Sequence, residues 1–316
     1  MRFIDEFRDA DLAQKLAHKI AAISTKPAKL MEFCGGHTVA IMKNGIRQLL
    51  PPTVQMLSGP GCPVCVTANS DIDKAIALAE LPGVIITTFG DMLKVPGSYS
   101  SLQKARADGG DIRIVYSTQD ALQIARDNPQ KSVVFIGIGF ETTAPTVAAA
   151  VMQAVAEKIK NFYVLCMLKL TPPAMQALLD LGEIKLDGII CPGHVSSIIG
   201  THPYESYARD YGIACVVSGF EPVDILQAIE MLVQQIESAK PSVEIAYSRG
   251  VKPEGNLKAQ EIMHTIFDIR GATWRGIGTI PSSGFQLKDP YGRFDAERAF
   301  TIKPCLTREH QGCCCG

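Results

Sequence analysis

SVVFIGIGFETTAPTVAAAVMQAVAEKIKNFYVLCML, residues 132–168, contains every element of the repeating unit from which this fold is built. Ser132–Ile138 is a short apolar run rich in β-branched residues, with no polar residue alternating through it. Such a run suits a strand buried on both faces, as in parallel sheets. A turn, Gly139-Phe-Glu-Thr-Thr143, follows. Val147, Val151 and Val155 then recur every fourth residue, which is the spacing of one helical face. Phe162–Leu168 closes the unit as a second apolar run. Strand, turn, helix and strand in that order form a crossover unit with both strands in one parallel sheet.

The same alternation runs outward in both directions. The further runs are Lys29–Phe33, Thr53–Leu57, Val84–Phe89, Ile112–Tyr116, Gly188–Cys191 and Ile213–Val217. Helical stretches carry Val39, Met42, Ile46 and Leu49, and later Ile225, Ile229, Leu232 and Ile236. The strands suit either one barrel or two open sheets of about four strands each, and two open Rossmann-like sheets facing a central cleft are preferred. The expected boundaries are an α/β domain over 1–128, a second over 129–238 and a small C-terminal domain over 239–316. Past Ser238 the alternation fades into a Gly-, Arg- and Pro-rich segment, so 239–316 reads as separate.

A chain of 316 residues, 47% hydrophobic and 20% charged, can bury a full core and does not have the composition of a disordered protein. A net charge of −1 gives no electrostatic ground for a nucleic acid or an anionic membrane as partner. MRFIDEFRDADLAQ is charged from its second residue and lacks the apolar core of a signal peptide. No apolar run approaches the roughly 20 residues that span a bilayer. A cytoplasmic protein is expected.

Ten cysteines without a secretion signal point to metal or redox chemistry rather than to disulfide staples. Cys166, Cys191 and Cys215 sit in apolar runs and read as core thiols, Cys191 less clearly because it adjoins the turn at His194. The chemistry concentrates in five turns, each after an expected strand: Cys34-Gly-Gly-His-Thr38, Gly59-Pro-Gly-Cys-Pro-Val-Cys65, Gly139–Thr143, Pro192-Gly-His-Val-Ser196 and Gly219-Phe-Glu-Pro222. Ligand crevices of open parallel sheets lie at the carboxyl ends of the strands, so the five are expected to converge. Cys34 precedes a helix expected to begin near Thr38, whose positive end would favour thiolate. Gly35 and Gly36 leave room for a ligand, and His37 offers a ligand or proton carrier. The plainer alternative is a buried thiol, a tight turn and a hydrogen-bonded histidine. Cys62-Pro-Val-Cys65 has the spacing of a reversible disulfide or of half a zinc site. No second such pair exists, which favours thiol–disulfide exchange. Glu141 and Glu221 share a Gly-Phe-Glu context at helix starts, where they either act chemically or complement the helix dipole, with Thr142 or Thr143 as cap. His194 is ambiguous in the same way. Nucleotide and hydrolase signatures (Walker A, GxGxxG, HExxH, GxSxG) are absent.

With Met31–Thr38, Ser58–Val66, Thr88-Phe-Gly-Asp91, Val95-Pro-Gly97, Gly139–Thr143, Pro192–Ser196, Gly219–Pro222 and Trp274-Arg-Gly-Ile-Gly278 in this order, the chain resembles the HypD family of hydrogenase maturation factors from end to end. The resemblance implies two Rossmann-like domains plus a domain carrying a [4Fe-4S] cluster. It implies a complex with a small HypC-like chaperone that holds iron while a HypE-like partner delivers cyanide, building the Fe(CN)2CO group of [NiFe]-hydrogenase. Cys34 would then ligate iron beside His37, and Cys62 and Cys65 would be the redox pair. Gly312-Cys-Cys-Cys-Gly316 matches the family's Gly-Cys-x-Cys-Gly, placing Cys313 and Cys315 at cluster positions and Cys314 at the variable one. Family members continue with further cysteines, so the cluster-binding part is expected to be incomplete here, with Cys305 the other thiol nearby. The role implied is cofactor assembly rather than turnover of a free substrate. The rivals are a stand-alone thiol oxidoreductase working through Cys62 and Cys65, and an interaction module whose thiols are structural.

Overall fold

The computed structural model describes residues 5–302 and 306–308. Eleven strands are described: β1 Ala28–Glu32, β2 Val54–Ser58, β3 Val84–Thr88, β4 Asp111–Ile114, β5 Ser132–Gly139, β6 Phe162–Leu168, β7 Gly188–Pro192, β8 Ala214–Ser218, β9 Val243–Ile245, β10 Phe267–Trp274 and β11 Gly278–Leu287. All eight apolar runs form strands, with ends within two residues of those expected. They build a five-stranded sheet of order β2-β1-β7-β8-β9 and a four-stranded sheet of order β4-β3-β5-β6. Every pairing in both sheets is parallel. β10 and β11 form a separate antiparallel pair. The fold is α/β with two Rossmann-like open sheets.

The division of the chain differs from the contiguous one expected. One compact unit takes residues 1–62 and 171–257, the other 63–170 and 258–316. Strand pairing dictates this: β1 hydrogen-bonds to β2 on one side and to β7, far along the chain, on the other. The expected boundary at 128/129 therefore falls inside the second unit, between the helix Thr118–Asp127 and β5, which pack on one another. Nor is 239–316 a domain. Val243–Ile245 extends the five-stranded sheet by pairing with Cys215–Val217. The β10–β11 pair lies against β6, where the Leu170 N–H donates to the Ser283 carbonyl at 2.8 Å.

Both faces of each sheet are covered, as continuously apolar strands require. In the first unit Leu30, Ile190 and Val216 pack under Ile20, Ile225 and Ile229 of the helices Ala10–Ile23 and Pro222–Ser238. The alternate residues Met31, Ile189, Cys215 and Val217 face Met175, Tyr204 and Tyr207. Cys191 and Cys215 are core thiols within that layer. In the second unit Ile86, Val134, Ile136 and Leu165 meet Ile72 and Ile76 of the helix Asn69–Ala79. Val147 and Val151 are buried on the helix Ala144–Ala156. The stretch from Val39 to Leu49 departs from the reading of its periodicity. Gly45 adopts a left-handed conformation at φ +62° and splits it into the helices Gly35–Lys43 and Ile46–Leu49. The core takes His37, Ala40, Ile41 and Ile46, while Val39 and Met42 are exposed. No helix among the described residues is long and apolar enough to cross a membrane.

Candidate functional site

Strand order places the site before any side chain is considered. In the five-stranded sheet the order reverses between β1 and β7, and in the four-stranded sheet between β3 and β5. Neighbouring strands whose connections leave in opposite directions open a crevice at their carboxyl ends. In the first unit that edge carries the turns at Cys34 and His194. In the second it carries Phe89-Gly90-Asp91 and Gly139–Thr143.

Cys34, two residues past the end of β1, is the N-cap of the helix Gly35–Lys43, which starts three residues earlier than expected. Its φ of −153° and ψ of 125° keep it extended while its carbonyl accepts from the N–H groups of His37 and Thr38. The thiol is half-buried. Burial pushes it above the ordinary cysteine range, and the charges of Glu32 and Cys62 push the same way. The backbone N–H groups of Gly36 and His37 pull against them and lose. The expected preference for thiolate therefore gives way: desolvation outweighs the helix terminus. Proximity to Cys62 comes from glycine. Gly61 packs so closely on the backbone of Phe33 and Cys34 that a Cβ there would lie 2.3 Å from both Cys34 N and Phe33 C. The Gly35 N–H donates to the Gly61 carbonyl, and Cys62 Cβ lies 3.7 Å from where a Cβ on Gly35 would be. On the other side, a Cβ on Gly36 would lie 3.0 Å from the Phe220 ring and 3.6 Å from Cys34 Sγ.

Glu32, the last residue of β1, went unnoticed in the sequence. It is 1% exposed. Its carboxyl accepts from the Cys34 N–H at 2.9 Å and from the Thr38 hydroxyl, so it ties both ends of the Cys34 turn together. Burial raises its pKa above the ordinary carboxylate range despite those hydrogen bonds. An acidic residue inside a strand run and two positions before a thiol was the available signal.

His37 is fully buried, with Nε2 3.3 Å from the Ser218 carbonyl and Nδ1 without a hydrogen-bond partner among the described residues. Burial lowers its pKa to about 4, so the ring is neutral at pH 7. It stacks on Phe220 at 4.7 Å between centroids, and the exposed His194 stacks on the same ring at 3.9 Å. The first unit thus brings Cys34, Cys62, His37 and His194 around two Gly-rich turns and one phenylalanine. Glu221 is engaged otherwise: it precedes the helix Pro222–Ser238 and receives two hydrogen bonds from Arg8, at 2.6 and 2.8 Å, which hold its carboxyl below the usual range.

Cys65 and Glu141 belong to the second unit. Cys62 and Cys65 are both half-buried. Glu141 is buried in the turn after β5, two residues before Thr143, which occupies the cap position of the helix Ala144–Ala156 without capping it through its side chain. Lys169, which follows β6, was also missed: it is 2% exposed at the same edge of the sheet, its N–H donating to the Gly139 carbonyl. Cys313 and Cys315, together with Cys305 and Cys314, lie outside the described residues. Among the described residues no three His, Cys, Asp or Glu side chains gather as a metal site.

The HypD family model, described as the hydrogenase formation hypA family, matches residues 11–316. Hydrogenase maturation factor HypD2 of Bradyrhizobium diazoefficiens is 48% identical over 326 aligned residues, covering 100% of this chain and 86% of the relative. HypD of Rhizobium leguminosarum is 47% identical, covering 100% and 85%, and HypD of Escherichia coli K12 is 45% identical, covering 96% and 84%. With this coverage at its thiol and histidine turns as well as its sheets, the chain belongs to the HypD family of hydrogenase maturation factors.

Proposed function

We propose that this protein is a cytoplasmic scaffold that holds iron while the Fe(CN)2CO group of [NiFe]-hydrogenase is built on it. The observation that carries the reading is the position of Cys34, a half-buried thiol at the switch point of a parallel sheet, with Cys62 beside it and a neutral histidine three residues on. Iron is the cargo. Cys34 supplies one thiolate, a donor suited to an iron that also carries cyanide and carbon monoxide. A HypC-like chaperone supplies a second thiolate, and a HypE-like partner delivers cyanide. Sharing the coordination shell with a second protein makes the iron releasable, as transfer requires.

The residues divide the remaining work. Cys34 starts as a protonated thiol and loses its proton as iron binds; the neutral His37, with Nδ1 unpartnered among the described residues, relays that proton or hydrogen-bonds a diatomic ligand. Cys62 and Cys65 close a disulfide as a thiocyanate group on the HypE-like partner is cleaved reductively: the two electrons break its S–C bond to give the partner's thiol and cyanide, and the two thiol protons go to that thiol and to the cyanide or solvent. His194 is a further polar group at the sheet edge that carries Cys34, and Glu141 is a polar group at the edge of the other sheet. Glu221 anchors the Phe220 turn through Arg8.

The test is infrared spectroscopy of the complex co-purified with its chaperone, using Cys34→Ala. Loss of the cyanide and carbonyl bands from a folded variant that still binds its partner is expected. Bands at wild-type intensity overturn the assignment. Disulfide reductase activity in a protein that retains no iron would favour the stand-alone oxidoreductase.

A further inference from the structure

We propose that the second unit carries a binding site for a compact oxyanion, a phosphate or a short carboxylate, in a cavity walled by Lys169, Lys74 and Arg270. The site does not depend on the iron-scaffold reading and shares no residue with it.

The cavity measures about 170 Å³ and lies between the end of β6, the start of the helix Asn69–Ala79 and the middle of β10. That is below the roughly 300–1,000 Å³ of pockets that enclose a drug-sized ligand, so a nucleotide does not fit but a small anion does. Sequence and backbone conspire to put cations there. Lys169 follows directly on the apolar run of β6, and its chain continues into a hydrogen bond with the β10–β11 pair. Arg270 sits where the β10–β11 register shifts, between Arg270 and Ala272. Such a bulge re-aims side chains away from the regular ladder. Lys74 comes from one turn inside the helix.

Charge and hydrogen bonding both leave the cavity incomplete. Lys169 is 2% exposed, yet its ammonium makes one hydrogen bond among the described residues, to the Thr273 carbonyl at 2.8 Å. The nearest carboxylate, Asp71, stands 3.9 Å away, and the Trp274 ring lies 5.7 Å below. An ammonium has three donors. A buried cation with donors left over is costly unless an anion completes it. Asp71 is shared with Lys74 at 3.6 Å, and Glu297 with Lys74 and Arg270, so these ion pairs set three cations against two carboxylates, while Asp295, which also feels Arg270, pairs with Arg298. Arg270 also donates to the Cys166 carbonyl at 3.2 Å, which fixes its guanidinium at the rim. Burial lowers the pKa of Lys169, and a bound anion would reverse that.

The experiment is thermal unfolding and calorimetric titration of the full chain at constant ionic strength, with sodium phosphate or sodium acetate replacing chloride. Saturable stabilisation by at least one of them is expected, and which one identifies the ligand class. Lys169→Met should weaken that binding by about tenfold or more, as loss of a charge-assisted contact does. Arg270→Gln, at a partly exposed position, should weaken it as well and serves if Lys169→Met fails to fold. Asp71→Asn removes a competing carboxylate and should tighten it. Absence of saturable binding by both anions, or binding unaltered in Lys169→Met and Arg270→Gln, overturns the site.

Discussion

The two parallel sheets use the same topological device and fill it with opposite chemistry. At the edge of the five-stranded sheet stand two thiols and two imidazoles stacked on Phe220, and burial holds Cys34 and both imidazoles toward the neutral form. At the edge of the four-stranded sheet stand a buried carboxyl at Glu141 and a buried ammonium at Lys169, backed by the Phe140–Trp274 stack at 5.9 Å. Topology decides where a crevice opens; the residues that follow each strand decide what it can hold. Soft neutral donors suit a soft, covalently demanding cargo, whereas fixed charges suit anions. A single duplicated unit could not have supplied both.

The comparison breaks most sharply at Trp274. It is 1% exposed, stacks on Phe140, donates from Nε1 to Ser283 Oγ at 2.9 Å and supports Lys169. Trp274→Ala should cost about 3–5 kcal/mol of stability, read by denaturant unfolding. A loss under about 1 kcal/mol would mean that the charged edge needs no aromatic floor.

His37 tests the neutral edge. Its pKa falls from the ordinary 6.5 to about 4. A depressed imidazole binds its proton more weakly folded than unfolded, so its contribution is complete above pH 6.5 and is lost as pH falls through about 4. The span corresponds to roughly 3 kcal/mol. His37→Gln should flatten the stability–pH curve by about that amount within this window. Parallel curves for wild type and His37→Gln would show that the ring is not buried neutral.

These regions were unequally legible in the sequence. The strands and the thiol and histidine turns could be read because a parallel sheet writes its burial into continuous apolar runs. Which strands share a sheet could not, because pairing is non-local: nothing in Ala28–Glu32 signals that its neighbour is Gly188–Pro192 rather than a strand of the next crossover. β9 escaped notice because Val243–Ile245 is three residues long with a glutamate at its centre. Glu32 and Lys169 were passed over for one reason: a single charge inside or just past an apolar run reads as the end of burial. In the folded chain both are buried and tied to backbone groups.

A smaller effect sharpens the contact between the two thiol turns. Gly61→Ala would put a Cβ 2.3 Å from the backbone at Cys34, where nothing flexible can yield, whereas Gly35→Ala meets only Cys62 Cβ at 3.7 Å, an ordinary contact. Gly61→Ala should cost about 1–3 kcal/mol, in the range of overpacked cores. Gly35→Ala should stay below it by unfolding midpoint. Equal costs would mean that the Gly59–Cys62 turn does not rest on Cys34.

The finest comparison sets Cys34 against Cys166, one thiol from each unit. Both are raised by burial against opposing backbone N–H groups, Cys166 to about 11. Cys166 lies inside β6, buried at 7% exposure, and its Sγ donates to the Phe285 carbonyl at 3.3 Å, which shields it from reagents. Cys34 is half-exposed at a helix start. Alkylation rates against pH, followed residue by residue by mass spectrometry, should show Cys34 titrating above the ordinary cysteine value of about 8.5 and Cys166 unlabelled in the native chain. Glu32→Gln removes the nearest negative charge while keeping a group that accepts from the Cys34 N–H. The Cys34 profile should then move to lower pH. A profile that stays in place would assign the elevation to burial alone, and one that moves upward would mean that Glu32 holds the turn in the geometry that lets the backbone N–H groups reach the sulfur.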